Sequence, residues 1–109
     1  MLEGLLGSQD VERALLFIAG RGKGYGQEIA DFWSTYIRGI QRALDRLENG
    51  GALVSEKVGR TRVYRWNPRW PFRPELQALL DKAITFLPDA DRRRLVENRR
   101  RPRRRGKPL

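Results

Sequence analysis

The stretch from Gly26 to Asn67, GQEIADFWSTYIRGIQRALDRLENGGALVSEKVGRTRVYRWN, constrains this chain more than any other, because its hydrophobic period changes within it. Between Ile37 and Asn49 the apolar residues Ile37, Ile40, Leu44 and Leu47 recur three, four and three positions apart, the spacing of one helix face. Tyr36, Arg38, Gln41, Arg42, Asp45 and Arg46 are left on the outward side. Gly39 falls near the start of that helix, where a missing side chain lets a backbone approach. Gly50-Gly51 supplies the stop. Leu53–Val58 and Thr61–Trp66 then alternate as two strands, joined by Gly59-Arg60-Thr61. Upstream, Gln27 to Trp33 reads as a short helix, and Ser34-Thr35 as the turn that leads into the longer one.

The flanks fit around this unit. Ser8 is an N-cap candidate, with Asp10 and Glu12 placed to complement the helix dipole. Val11, Ala14, Leu15 and Ile18 follow at helical spacing, which predicts an amphipathic first helix. Gly20-Arg-Gly-Lys-Gly24 ends it. That run fits neither the phosphate-cradling loop of nucleotide hydrolases nor the dinucleotide fingerprint, and no strand precedes it. Tyr25 is expected in a short extended piece that pairs with the hairpin. After Asn67-Pro68 and Trp70-Pro71, Pro74 suits a first helical turn. Leu76, Leu79, Leu80, Ala83, Ile84 and Leu87 make an apolar stripe there, and Pro88 breaks it. Asp89 can cap a last short helix containing Leu95 and Val96. From Arg99 on, RRRPRRRGKPL has almost nothing to bury and is expected to be disordered when free.

Charge narrows the function. The net charge of +10 is not spread evenly. Residues 36–73 carry nine Lys/Arg against three Asp/Glu, and residues 92–109 carry ten against one, while the segment between them is acidic. Two separate anion-facing parts follow from that distribution. The chain has no His and no Cys, so the usual general base, thiolate chemistry and the ligands of a zinc or copper site are all missing. No constellation for catalysis is present; neither an enzyme nor a cofactor or metal site is expected. No apolar run approaches the length of a membrane span, and the N-terminus lacks the pattern of a signal peptide, so a cytoplasmic protein with no membrane partner is expected.

A helix fits the DNA major groove, and Arg and Gln suit guanine and adenine edges. Residues near the N-terminus of the second helix of a helix-turn-helix point at base edges. Tyr36, Arg38, Gln41 and Arg42 are therefore the expected readers, with Arg46 on phosphate. Lys57, Arg60, Thr61 and Arg62 form a basic hairpin tip suited to backbone contacts. Arg99, Arg100, Arg101, Arg103, Arg104 and Arg105 suit an arm along phosphate or in a minor groove, and would attract RNA or an acidic protein surface as well. The stripe Leu76, Leu79, Leu80, Ala83, Ile84 and Leu87 exceeds what a three-helix core needs, which suggests a homodimer.

Gln27-Glu-Ile-Ala30, Ile40-x3-Leu44-x2-Leu47-Glu48 and Gly51-Ala-Leu-Val54 leading into GRTRVYRWNP resemble the winged helix-turn-helix transcriptional regulators of the arsenic-repressor (ArsR-like) group. The chain is also similar to small prokaryotic winged-helix proteins, some related to domains beside nucleotidyltransferases, in its Leu5-Leu-Gly-Ser8 opening, its Asn67-Pro-x-x-Pro-Phe72 exit and its Arg-rich end. The likeness spans about residues 5–87. It implies an α+β, mainly helical fold: a three-helix core plus a β-hairpin wing, a C-terminal flanking helix and a basic tail. Residues 1–88 are the expected domain with its flanking dimerisation helix, and 89–109 a short helix and disordered tail. The resemblance implies a dimeric repressor binding double-stranded DNA. Without Cys or His, the soft-metal sensor sites of that group have no ligands here. A protein-interaction module holding an enzyme, and an RNA-binding protein using its tail, are the competing readings.

Overall fold

The computed structural model describes residues 1–100 of the chain, with side chains described as far as Val96. Its elements, in order, are α1 (Glu3–Leu6), α2 (Gln9–Arg21), β1 (Lys23–Tyr25), α3 (Gly26–Trp33), α4 (Ile37–Asn49), β2 (Leu53–Val58), β3 (Thr61–Trp66), α5 (Arg73–Ile84) and α6 (Asp89–Arg100). The fold is α+β and mainly helical, with a three-stranded antiparallel sheet in the order β1-β3-β2. Among the described residues no helix is long and apolar enough to cross a membrane.

Helix α2 is the axis of the core. Ser8 caps it as expected, its hydroxyl accepting from the Val11 amide at 3.0 Å. The amphipathic pattern understates its burial: Leu16, Phe17 and Ala19 are buried together with Val11, Ala14, Leu15 and Ile18. The reason is tertiary. α1, α3, α4, α5, α6, β1 and β3 all pack around it, so that over the span from Val11 to Ala19 only Arg13 keeps part of its surface in solvent. Even Glu12 is buried, and its carboxylate accepts the Leu2 amide at 3.0 Å, which ties α1 down.

Two glycines make close packing possible. A Cβ on Gly24 would lie 2.6 Å from Cε1 of Phe17, so the residue read as part of a helix-stopping turn is needed because β1 runs directly against that ring. A Cβ on Gly20 would lie 3.1 Å from Cβ of Leu95, where α6 crosses α2. α6 is thus a twelve-residue helix folded back onto the core through the fully buried Leu95, rather than a short outlying piece. Arg99 and Arg100, expected in the tail, belong to its last turn, while residues 101–109 lie outside the described residues.

The sheet has one core face and one open face. Leu53, Tyr64 and Trp66 are buried on the first and Glu56, Val58 and Arg65 are exposed on the second, while Lys57 and Arg62 continue the first face out to the exposed hairpin end. Val58 pairs with Thr61, so the hairpin loop is only Gly59-Arg60 and Thr61 belongs to β3 rather than to the loop. Gly59 has φ +64°, the backbone that a two-residue hairpin turn requires of its first residue. β1 adds its three residues to the other side of β3, pairing Tyr25 with Val63 as the sequence suggested. Beyond β3, the Asn67 side chain donates to the Gly51 carbonyl at 2.9 Å, and Trp70 stacks parallel to Trp66. That fixes the chain's path into α5.

Candidate nucleic-acid interface

Helix α4 runs from Ile37 to Asn49, the bounds its periodicity predicted, yet its first turn is built against helix rules. Tyr36 at the N-cap makes no side-chain cap, no acid stands in the first turn, Arg38 faces the positive end of the helix dipole, and Gly39 is helical. A missing cap costs about 1 kcal/mol, a helical glycine about 1 kcal/mol, and a misplaced charge a few tenths.

Gly39 does make room for a neighbour, but for a side chain rather than a backbone. A Cβ there would overlap the Asp10 carboxylate, which reaches across from the start of α2. Asp10 thereby supplies the negative charge that the first turn of α4 lacks. It also holds Arg13 at 3.4 Å, and Arg13 donates to the Thr35 hydroxyl at 3.2 Å in the α3–α4 turn. The mutual setting of α2, the turn and α4 is therefore fixed by polar contacts as well as by Ile40, Ala43 and Leu44 in the core.

The expected readers divide into two groups. Arg38 and Arg42 are exposed, and Tyr36 is 88% exposed. Gln41 is not free to read a base. Its amide nitrogen donates to the Tyr64 hydroxyl at 3.0 Å and to Asp45 Oδ1 at 3.3 Å, and Tyr64 in turn donates to Asp45 at 3.2 Å. Gln41 is a strut between α4 and β3. The Tyr64 phenol, buried first of all and next to Asp45, has its pKa raised above the ordinary 10.0, with Gln41 opposing the shift. Ile37, placed on the core face by its spacing, is 41% exposed; at the first helical position it stands beyond the edge of the core that Ile40 and Leu44 enter. Nothing in its spacing distinguishes it from them.

Arg46 lies over Gly7 in the α1–α2 turn, and with Arg42 it borders a shallow hollow of about 210 Å³ whose other walls include Ser8, Asp10 and Gly39. The hairpin stands beside α4. Arg62 donates to the Ser55 hydroxyl at 3.0 Å, and Ser55 donates to Glu48 of α4 at 2.7 Å. Lys57 pairs across the ladder with Arg62 and so shares that face of the hairpin, with Arg60 at the tip. The side chains of Arg38, Arg42, Arg46, Lys57 and Arg60 take no hydrogen-bond or ion-pair partner among the described residues.

The side chains of Lys23, Arg65, Arg69, Arg73, Lys82 and Arg93 are without a partner among the described residues as well, whereas three cations are committed to the fold. Arg21 lies over the rings of Phe17 and Phe32, Arg94 lies 4.1 Å from the centre of Phe32 and donates to the Phe32 carbonyl at 2.7 Å, and Arg92 pairs with Asp89. Burial pushes the Arg21 guanidinium below its ordinary pKa, with Glu28 working against the shift. Of the stripe expected at a dimer interface, Leu80, Ala83 and Ile84 are buried in this chain's own core, and Leu76 and Leu87 pack partly against it. Leu79 stays half-buried outside that cluster. α5 thus spends most of the stripe on closing the monomer. Arg101, Arg103, Arg104 and Arg105 lie outside the described residues.

In comparisons with known proteins, no family model, no curated protein and no solved structure matches this chain.

Proposed function

We propose that the chain is a winged helix-turn-helix protein that binds double-stranded DNA sequence-specifically and regulates transcription as a repressor. In this reading α3 and α4 are the helix-turn-helix, α4 enters the major groove, and the β2–β3 hairpin is the wing. The observation that carries it is the first half of α4, which presents the exposed Arg38 and Arg42 with no side-chain partner among the described residues, beside a basic hairpin. Arg38 and Arg42 read bases, with Tyr36 at the mouth of the helix. Arg46, Lys57, Thr61, Arg60 and Arg62 serve the phosphates, which fix register without carrying sequence. Gln41 leaves the set of readers and becomes a support.

The proposal keeps a homodimer but moves its surface. Phe72, Leu79 and Phe86 follow one another at seven-residue intervals along α5 and its two ends, and Phe72 and Phe86 are 62% and 70% exposed. An apolar line of that kind fits a second copy better than water.

The test is a fluorescence-anisotropy titration of the intact protein against duplexes selected from a random pool and against scrambled duplexes, over a salt series. Sequence-specific binding predicts preference for the selected duplex. Arg42→Ala should lose about 1–3 kcal/mol and relax specificity at one base pair. Lys57→Ala should weaken all duplexes alike and flatten the salt dependence by about 0.9 in the log–log slope. Equal binding of selected and scrambled duplexes would overturn the sequence-specific reading.

A further inference from the structure

We infer that Ile37 and Tyr36 form a contact for the 5-methyl group of thymine, so that the preferred duplex carries a thymine opposite the first turn of α4. This rests on the reading of α4 as the groove-entering helix. Two apolar side chains stand in the open at the end of the helix that would meet base edges, Ile37 at 41% and Tyr36 at 88% exposure. Next to them in sequence stands the exposed cation Arg38, which suits an anionic partner and not an apolar protein core. In the major groove the only apolar group offered by a base pair is the thymine methyl. An apolar spot beside the unpaired Arg38 therefore has one chemical counterpart on duplex DNA.

The spot is also held in place. The end of the Ile37 side chain, Cδ1, lies 3.6 Å from the position a Cβ would take on Gly26, and the Gln41 amide oxygen lies 2.7 Å from the same position. Ile37 thus has the start of α3 and the Gln41 strut on one side, and solvent on the other. A side chain supported on one face and open on the other presents a fixed surface to a methyl group, and Tyr36 extends that surface past the helix end.

The experiment uses the intact protein and the duplex selected above, with each thymine replaced singly by deoxyuridine. This removes the methyl and keeps every polar group of the edge and the base pair. At one position the replacement should weaken binding about fourfold, the worth of one apolar carbon. Ile37→Ala should bring that penalty close to onefold, Ile37→Val should retain most of it, and Arg42→Ala should leave it unchanged. Circular dichroism on each variant confirms folding, and the conservative valine variant supplies the comparison where alanine perturbs the turn. If no thymine responds to deoxyuridine, or if Ile37→Ala keeps the full penalty while specific binding persists, the methyl contact is overturned and the DNA reading stands. If no duplex is preferred over scrambled DNA, both fall together.

Discussion

Replacing Gln41 with alanine separates a support from a base reader, because the two roles predict opposite readouts. Gln41 makes one part-buried hydrogen bond to Tyr64 at 3.0 Å and one exposed bond to Asp45 one helical turn on, at 3.3 Å. The first contributes about 1 kcal/mol net, and the second, as an intrahelical pair, about 0.3 kcal/mol. Alanine recovers about 0.3 kcal/mol through its better helix propensity. The Tyr64 hydroxyl keeps Asp45 as its acceptor, so no orphaned buried group adds to the cost. The net loss is about 1 kcal/mol, which for a domain of this size lowers Tm by about 4–8 °C. Thermal unfolding followed by circular dichroism measures it, and anisotropy on the selected duplex and its single-base variants measures specificity. A strut predicts lower Tm with an unchanged ranking of the duplexes. A cycle with Tyr64→Phe should show coupling of about 1 kcal/mol, since both changes remove the same bond. Unchanged Tm together with relaxed specificity at one base pair would refute the strut and restore Gln41 as a reader.

Three further outcomes follow from the packing. Gly24→Ala should destabilise by about 1–3 kcal/mol through overpacking on Phe17, while Gly4→Ala, with open space around its Cβ, should be neutral or slightly stabilising; urea midpoints compare them. Folding holds the Tyr64 proton more tightly than the unfolded chain does, so that contribution is intact below the ordinary phenol pKa of 10.0 and is lost as pH rises through the higher folded value. Chemical denaturation between pH 9 and about pH 12 should show a steeper decline for the wild type than for Tyr64→Phe. Sedimentation velocity should show the double variant Phe72→Ser, Phe86→Ser as a monomer at concentrations where the wild type dimerises, with the unfolding transition little changed.

What could be read from the sequence was what local pattern controls. α4 and both hairpin strands came out at their observed bounds because the three-four-three spacing, Gly50-Gly51 and the alternation after Leu53 are local signals. The helix-capping role of Ser8 and the pairing of Tyr25 with the hairpin were legible for the same reason. What escaped was decided by partners distant in the chain. α2 reads as amphipathic, and only the convergence of seven other elements on it explains the burial of Leu16 and Ala19. Gln41 looks like any outward polar residue until the hydroxyl of Tyr64, twenty-three positions later, accepts a hydrogen bond from its amide. Ile37 shares the spacing of Ile40 and Leu44, but a helix's first turn can stand outside the core that its second enters. The apolar stripe of α5 suggested a partner because its length was weighed against three helices, whereas six helices form and α2 takes up most of it.

The central claim is that DNA meets the first half of α4 and the hairpin tip. The most direct test is a titration of nitrogen-15-labelled protein with the selected duplex, following backbone amide shifts residue by residue. A groove-seated α4 predicts the largest changes at residues 36–46 and 57–62, with α5 little affected. Changes confined to α5 and α6, with the amides of 36–46 still in place, would contradict it and put the interface on another face of the molecule.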